Sequence, residues 1–166
     1  MDKLGDMRRT HSCGALRPAD VGAEVVLMGW VLRRRDHGGV IFVDLRDREG
    51  ITQVVFNPDR APEAHAKAHV IRSEFVLGVR GRVESRPEGM VNPNLATGGI
   101  EVMAGELKLL NQAQNPPFLI EDNVEVAEGT RLKYRHIDLR RPRLQSNLML
   151  RHRAAVTVRN YLNGLG

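Results

Sequence analysis

Hydrophobic and polar residues alternate through residues 40–56, and this pattern predicts two strands of one sheet. The predicted strands cover 40–46 and 51–56, and the polar residues 47–50 form the turn between them. Successive strand side chains point to opposite faces, so Ile41, Val43 and Leu45 are predicted to be core. The opposite face then carries Phe42, Asp44 and Arg46.

A regular hairpin across this turn fixes which residues lie side by side. Arg46 would pair with Ile51 and Asp44 with Gln53, so Gln53 would share a face with Phe42. An aromatic ring beside an amide, close to Arg33, Arg34 and Arg35, offers a plane for a base and cations for phosphate. This face therefore predicts binding of single-stranded nucleic acid.

The remaining pattern predicts three more strands and one helix. The strands cover 25–32, 74–83 and 100–110, and the helix begins at Pro62 and runs to about residue 72. The first strand is apolar at nearly every position; Trp30 is predicted to be core, and Gly29 to mark a bulge or a sharp bend. The fold is therefore predicted to be mainly β, a five-stranded OB-fold barrel with one helix between strands 3 and 4, followed by a hinge and a C-terminal helix.

Composition and charge favour a polyanionic partner. The chain has 166 residues, a net charge of +5 and a sequence pI of about 10.0, with arginines clustered at 33–35 and again within 131–143. Cys13 is the only cysteine, so no intrachain disulfide and no thiolate zinc site is expected. His65 and His69 lie four residues apart without a third ligand, and we predict no metal site. We expect a cytoplasmic protein without a signal peptide or membrane span.

The chain changes character after residue 110. Prolines and acidic residues within 111–130 indicate an extended linker, and we assign 1–110 to the barrel domain and 111–143 to the hinge. Apolar residues at helical spacing predict a helix over 144–166. So wide an apolar stripe needs a partner, which leads us to expect that the chain is cut from a larger protein.

Three segments together resemble bacterial aspartyl-tRNA synthetases, which are class II enzymes: GWVLRRRDHGGVIFVDLRDREG, RPEGMVNPNLATG and RLKYRHIDLRRP. The resemblance implies that 1–110 binds a tRNA anticodon and that 144–166 opens the catalytic domain. It also implies a full-length homodimeric ligase that uses ATP and Mg²⁺ to attach aspartate to tRNA(Asp). The ATP and aspartate site would lie beyond residue 166, so this chain should need no cofactor and be inactive alone.

The resemblance also assigns roles to individual residues. The anticodon-binding set is Arg35, Phe42, Gln53, Asn92 and Glu101. In this set Phe42 stacks on a base, with a second-layer core residue as the alternative, and Gln53 recognises the middle uridine, with a solvated strand residue as the alternative. Asn92 and Glu101 would lie near the first anticodon base. Arg33, Arg34 and Arg86 are candidate phosphate contacts.

Two further residues bear on which tRNAs are accepted. Aspartyl-tRNA synthetases that also charge tRNA(Asn) resemble this sequence at His37 and Gly89, whereas strict enzymes tend to carry Leu at the first position. The anticodons GUC and GUU differ only in their third base, and an imidazole can donate to or accept from either pyrimidine. The alternative is that both residues only shape their loops. For the whole chain, the alternative is a free-standing OB-fold protein that binds single strands without catalysis.

Overall fold

The alternating segments form one five-stranded sheet in the computed structural model, which describes residues 1–166. The chain divides into two compact units, Met1–Asn115 and Pro116–Gly166. The first unit holds β1 (Glu24–His37), β2 (Val40–Arg46), β3 (Ile51–Phe56), α1 (Pro62–Ala68), β4 (Val76–Ser85) and β5 (Ile100–Asn111). The second holds α2 (Glu128–Lys133), α3 (Arg135–Asp138) and α4 (Pro142–Asn163).

The sheet closes on itself in the order β1-β2-β3-β5-β4, with β4 paired back to β1. Every neighbouring pair is antiparallel except β3 and β5, which are parallel and joined only by Val54 with Val102 and Val55 with Met103. The predicted fold, with five strands and a helix between the third and fourth, is confirmed.

The core fills the inside of the ring, and period-two alternation selects its members. Ile41, Val43 and Leu45 are fully buried, as predicted. The hairpin register is also confirmed, with Arg46 opposite Ile51 and Asp44 opposite Gln53. Residues on the other side of these strands therefore face outward, where the candidate site lies.

The first strand differs most from its predicted form. It continues through the three arginines to His37, because each of these residues finds a partner on β2, ending with His37 opposite Val40. The register shift lies between Val31 and Arg33, not at Gly29. Gly29 instead allows a close approach, since a Cβ there would come within 2.4 Å of the Arg46 carbonyl oxygen.

Two other predictions about packing need correction. Trp30 is only partly buried, because its neighbours Gly29 and Val31 take the inward positions of β1. The helix α1 ends at Ala68, four residues earlier than predicted, although Ile71 just beyond it is still buried.

The segment before β1, which the strand pattern does not cover, packs onto the sheet. Met7, Cys13 and Leu16 are fully buried. The backbone N–H of Cys13 donates to Oδ2 of Asp47 at 2.8 Å, and the Thr52 hydroxyl donates to the Cys13 carbonyl. Burial, together with the charge of Asp47, raises the pKa of the Cys13 thiol to about 12. This thiol is therefore protonated and inert at neutral pH.

The second unit is organised around one buried carboxylate. Asp138 is fully buried and accepts hydrogen bonds from Arg131, Arg135 and Arg141, and the bonds from Arg131 lead in lowering its pKa. The segment predicted as an extended hinge, 111–143, thus contains two short helices, and α4 begins at Pro142 instead of residue 144. No helix in the chain is long and apolar enough to cross a membrane.

Candidate nucleic-acid interface

A groove of about 860 Å³ runs over the outward faces of β1, β2, β3 and β5 and under the loop between β4 and β5. It contains most of the residues that the sequence assigns to the site: Arg35, His37, Phe42, Gln53, Arg86, Asn92 and Glu101. These residues come from four strands and one long loop, so only the closed sheet brings them together.

Phe42 supplies the aromatic surface of the groove. Its ring is only partly buried, whereas Val55, its partner on β3, is 3% exposed. Arg35 lies opposite Phe42 on β1. A partly exposed ring flanked by a guanidinium group is suited to stacking on a base whose phosphate lies close by.

A line of hydrogen bonds joins the polar side chains beside Phe42. Nη2 of Arg35 donates to Oδ1 of Asp44 at 2.6 Å and to Oε1 of Gln53 at 3.2 Å. Nε2 of Gln53 donates to Oε2 of Glu101 at 2.8 Å. The Gln53 amide is thus held at both ends, by a cation at its oxygen and by an anion at its nitrogen.

Glu101 and Arg86 form the deepest charged part of the groove. Glu101 is 9% exposed; burial raises the pKa of its carboxyl, and the hydrogen bond from Gln53 and the charge of Arg86 oppose that rise. Burial lowers the pKa of Arg86. Its Nε donates to the Ile100 carbonyl at 2.9 Å, but its buried Nη2 has no hydrogen-bond partner within the chain. A buried donor without a partner is costly, and a bound acceptor would satisfy it.

The loop over 86–99 places Asn92 at the edge of the groove. The backbone N–H of Asn92 donates to the Gly98 carbonyl at 3.0 Å, and Oδ1 of Asn92 accepts from the backbone N–H of Asn94 at 3.0 Å. A Cβ at Gly98 would come within 1.8 Å of the Asn92 carbonyl oxygen, so the loop closes only around glycine at this position. The position of Asn92 therefore depends on loop geometry that no periodic pattern predicts.

Three predicted residues lie outside the groove. Arg33 is exposed on the same face, opposite Asp44, and remains a candidate phosphate contact. Arg34 points to the other face, where it donates to the Ala68 carbonyl at 3.3 Å and pairs with Asp36. Gly89 has a φ of +80° and no atom near its missing Cβ, so it sets the course of the loop without lining the groove.

Sequence reasoning missed the apolar floor of the groove, formed by Val40, Val55, Met90 and Met103. Met103 follows Glu101 by two positions on β5, so alternation could have placed it on the same face. Met90 lies in the irregular loop, where no period gives a signal.

His65 on α1 and His69, which follows the last residue of that helix, pack against each other, and His65 also contacts the β1–β2 loop. His65 Nε2–H donates to the Gly39 carbonyl at 2.7 Å, and the rings of His65 and His69 meet edge to face with centroids 4.7 Å apart. No group of three His, Cys, Asp or Glu side chains in the chain could hold a metal ion. The hydrogen bond attaches the β1–β2 loop, which directly follows His37, to the helix.

A comparison with protein families accounts for this architecture. Residues 25–110, just over half of the chain, match the model of the OB-fold nucleic acid binding domain. The chain belongs to this family. In the OB-fold family, the second and third strands and the loops beside them are where oligonucleotides bind, and the groove lies at that position.

Individual known proteins are similar to this chain over nearly its whole length. The chain is 64% identical over all 166 residues to the aspartate–tRNA(Asp/Asn) ligase of Desulfosudis oleivorans, and it spans about 28% of that relative's length. The asparaginyl-tRNA synthetase of Pyrococcus horikoshii has a TM-score of 0.79 at 26% identity, with 96% of this chain and 36% of that one covered. The aspartyl-tRNA synthetase of Entamoeba histolytica has a TM-score of 0.82 at 18% identity, over 96% of this chain and 38% of that one. At this low identity the similarity supports the fold alone.

Proposed function

We propose that this chain is the tRNA anticodon-binding part of an aspartate–tRNA ligase and that the groove receives the anticodon. The observation that carries the proposal is the meeting of Phe42, the Arg35–Gln53–Glu101 line and Arg86 in one groove of the OB-fold sheet. The proposal is supported by the 64% identity, over all 166 residues of this chain, to a relative named as an aspartate–tRNA(Asp/Asn) ligase.

The chemistry of each residue suits one part of an anticodon. Phe42 stacks on a base, and the Gln53 amide offers a donor and an acceptor to the edge of the middle uridine. The Glu101 carboxylate accepts from the N1 and N2 donors of a guanine at the first position, with Asn92 beside it. Arg35 contacts a base edge, and Arg33 and Arg86 provide positive charge for phosphates.

The same proposal extends to two tRNAs. His37 stands at the exposed tip of β1 and lines the groove, and its ring can donate or accept at the third base. Gly89 shapes the loop that covers the groove. Acceptance of both tRNA(Asp) and tRNA(Asn) is consistent with the Asp/Asn name of the relative.

The activity of the full-length protein is part of the proposal as well. It would esterify tRNA with aspartate in the cytoplasm, as a homodimer, with ATP and Mg²⁺. We assign the binding of ATP, Mg²⁺ or aspartate to no residue of this chain. We expect the chain alone to bind tRNA without aminoacylating it.

Binding of anticodon stem-loops tests the proposal directly. The chain should prefer loops with GUC and GUU over a loop whose middle U is replaced, at one fixed salt concentration, because salt changes every affinity for nucleic acid. Equal affinity for the replaced loop would refute anticodon recognition through Gln53, and a large preference for GUC over GUU would refute the relaxed specificity. Equally tight binding of any unstructured oligonucleotide would favour a free-standing single-strand-binding protein.

Removal of the Phe42 ring gives a second test. Phe42→Ala should weaken binding of the GUC stem-loop by about 1 to 3 kcal/mol, the range for loss of one base stack. The measurement is fluorescence anisotropy with labelled stem-loop. Unchanged affinity would remove Phe42 from the site.

A further inference from the structure

The Gln53 amide can serve as a specific contact only if its orientation is fixed. Uridine offers a ring N–H donor beside carbonyl acceptors, whereas cytidine offers an exocyclic amino donor beside a ring nitrogen acceptor. An amide turned by 180° exchanges its donor and its acceptor. One orientation of Gln53 therefore suits uridine, and the opposite orientation suits cytidine.

The structure holds this amide from both sides. Glu101 accepts from Nε2 at 2.8 Å, and Arg35 donates to Oε1 at 3.2 Å. A turned amide would place its oxygen against the Glu101 carboxylate and its N–H groups against the arginine donors. The orientation of Gln53 thus depends on where the Arg35 guanidinium lies.

Asp44 determines the position of that guanidinium. The same nitrogen, Arg35 Nη2, that donates to Gln53 also donates to Oδ1 of Asp44 at 2.6 Å. Asp44 is on β2, between the strand that carries Arg35 and the strand that carries Gln53. It pairs across the sheet with Arg33 on β1 and with Gln53 on β3. The Arg35 side chain is 47% exposed and long, so without this anchor it would sample other rotamers.

A purely stabilising role does not account for Asp44. An ion pair with one member so exposed is screened by water and salt and adds little to the stability of a fold. A carboxylate next to an RNA-binding groove also repels phosphate. Its presence is understandable if it orients a neighbour.

We propose that Asp44 is a positioning residue that fixes the Gln53 amide through Arg35 and so sets the discrimination between uridine and cytidine at the middle base. This inference rests on the proposed function for its selectivity, but its structural half concerns the RNA-free protein. The two halves call for separate measurements.

The first measurement compares affinities of the whole 166-residue chain for stem-loops with GUC and GCC at one salt concentration. Asp44→Asn should reduce the preference for U over C by about tenfold, the effect of losing one charged hydrogen bond, with tighter binding of the C loop. Asp44→Glu, which keeps the carboxylate, should restore part of the preference. Asp59→Asn removes the same charge at an exposed turn outside the groove and should leave the preference unchanged.

The second measurement follows the Gln53 side-chain NH₂ signals by NMR without RNA, assigned by their loss in Gln53→Ala. Asp44→Asn should shift these signals, and Asp59→Asn should not. Unchanged signals in Asp44→Asn would overturn the positioning role, as would equal weakening of both loops in the binding assay. A wild-type protein that does not prefer U over C would instead overturn the proposed function and, with it, the selectivity half of the inference.

Discussion

Glu101 is the residue whose burial most affects what the groove can do. In the proposed contact with guanine, the Glu101 carboxylate would accept hydrogen bonds best when it is ionised, yet burial favours its protonated form. Gln53 and Arg86 oppose this effect of burial, whereas the charge of Glu84 adds to it. The state of Glu101 therefore depends on groups from β3, β4 and the loop that begins at Arg86.

The raised pKa of Glu101 predicts pH effects of opposite sign on binding and on folding. Preference for G over A at the first base should fall as the pH drops through the raised pKa, because the protonated carboxyl is a poorer acceptor. Folding responds the other way: an acid with a higher pKa in the folded state binds its proton better there, so its contribution to stability is lost as the pH rises. The check is the G-over-A ratio for wild type and Glu101→Gln at about pH 7.5 and about pH 5. The same pH response in both proteins would contradict it.

At the scale of the elements, the β2–β3 turn is held by a single side chain. Oδ1 of Asp47 accepts from the backbone N–H groups of Glu49 and Gly50, and Oδ2 accepts from that of Cys13. Asp47 thus closes the hairpin that carries Phe42 and Gln53 and attaches the N-terminal segment to it. The site depends on this turn although no residue of the turn lines the groove.

Asp47→Ala should lower the free energy of unfolding by about 3 kcal/mol, because it leaves three backbone donors without their acceptor. Urea denaturation measures the loss. Asp59→Ala, at an exposed position in the next turn, should change the free energy of unfolding by less than about 0.5 kcal/mol. Equal values for the two variants would show that solvent or the backbone replaces the Asp47 contacts.

The predictability of these elements follows from their periodicity. The hairpin has a clean period of two, so its register and the neighbouring positions of Phe42 and Gln53 could be predicted. Alternation also separates Arg34 from Arg33 and Arg35, a distinction the sequence prediction did not make. The packing of Cys13 could not be predicted, because the acceptor of its backbone N–H is a carboxylate thirty-four residues away along the chain.

At the scale of the whole molecule, the net charge of +5 does not act as one uniform field. In the second basic cluster, Asp138 forms ion pairs with Arg131, Arg135 and Arg141. Part of the positive charge of this cluster is therefore engaged in contacts within the second unit. In the first unit, Arg35 and Arg86 are held in the groove itself. Overall charge predicted the kind of partner, but the ion pairs decide where positive charge can meet it.

The closed sheet has one weak junction, where β3 and β5 share only the pairs Val54–Val102 and Val55–Met103. The groove lies over this junction, and the hydrogen bond from Gln53 to Glu101 crosses it. RNA bound there would span both strands and stabilise the closed form over local opening.

Hydrogen exchange at residues 54, 55, 102 and 103 should slow more on RNA binding than exchange at the residues that pair β1 with β4. An equal slowing at both junctions would contradict this. The bound nucleic acid would then act as a clamp across the junction of β3 and β5, where the protein alone has only two pairs of facing residues.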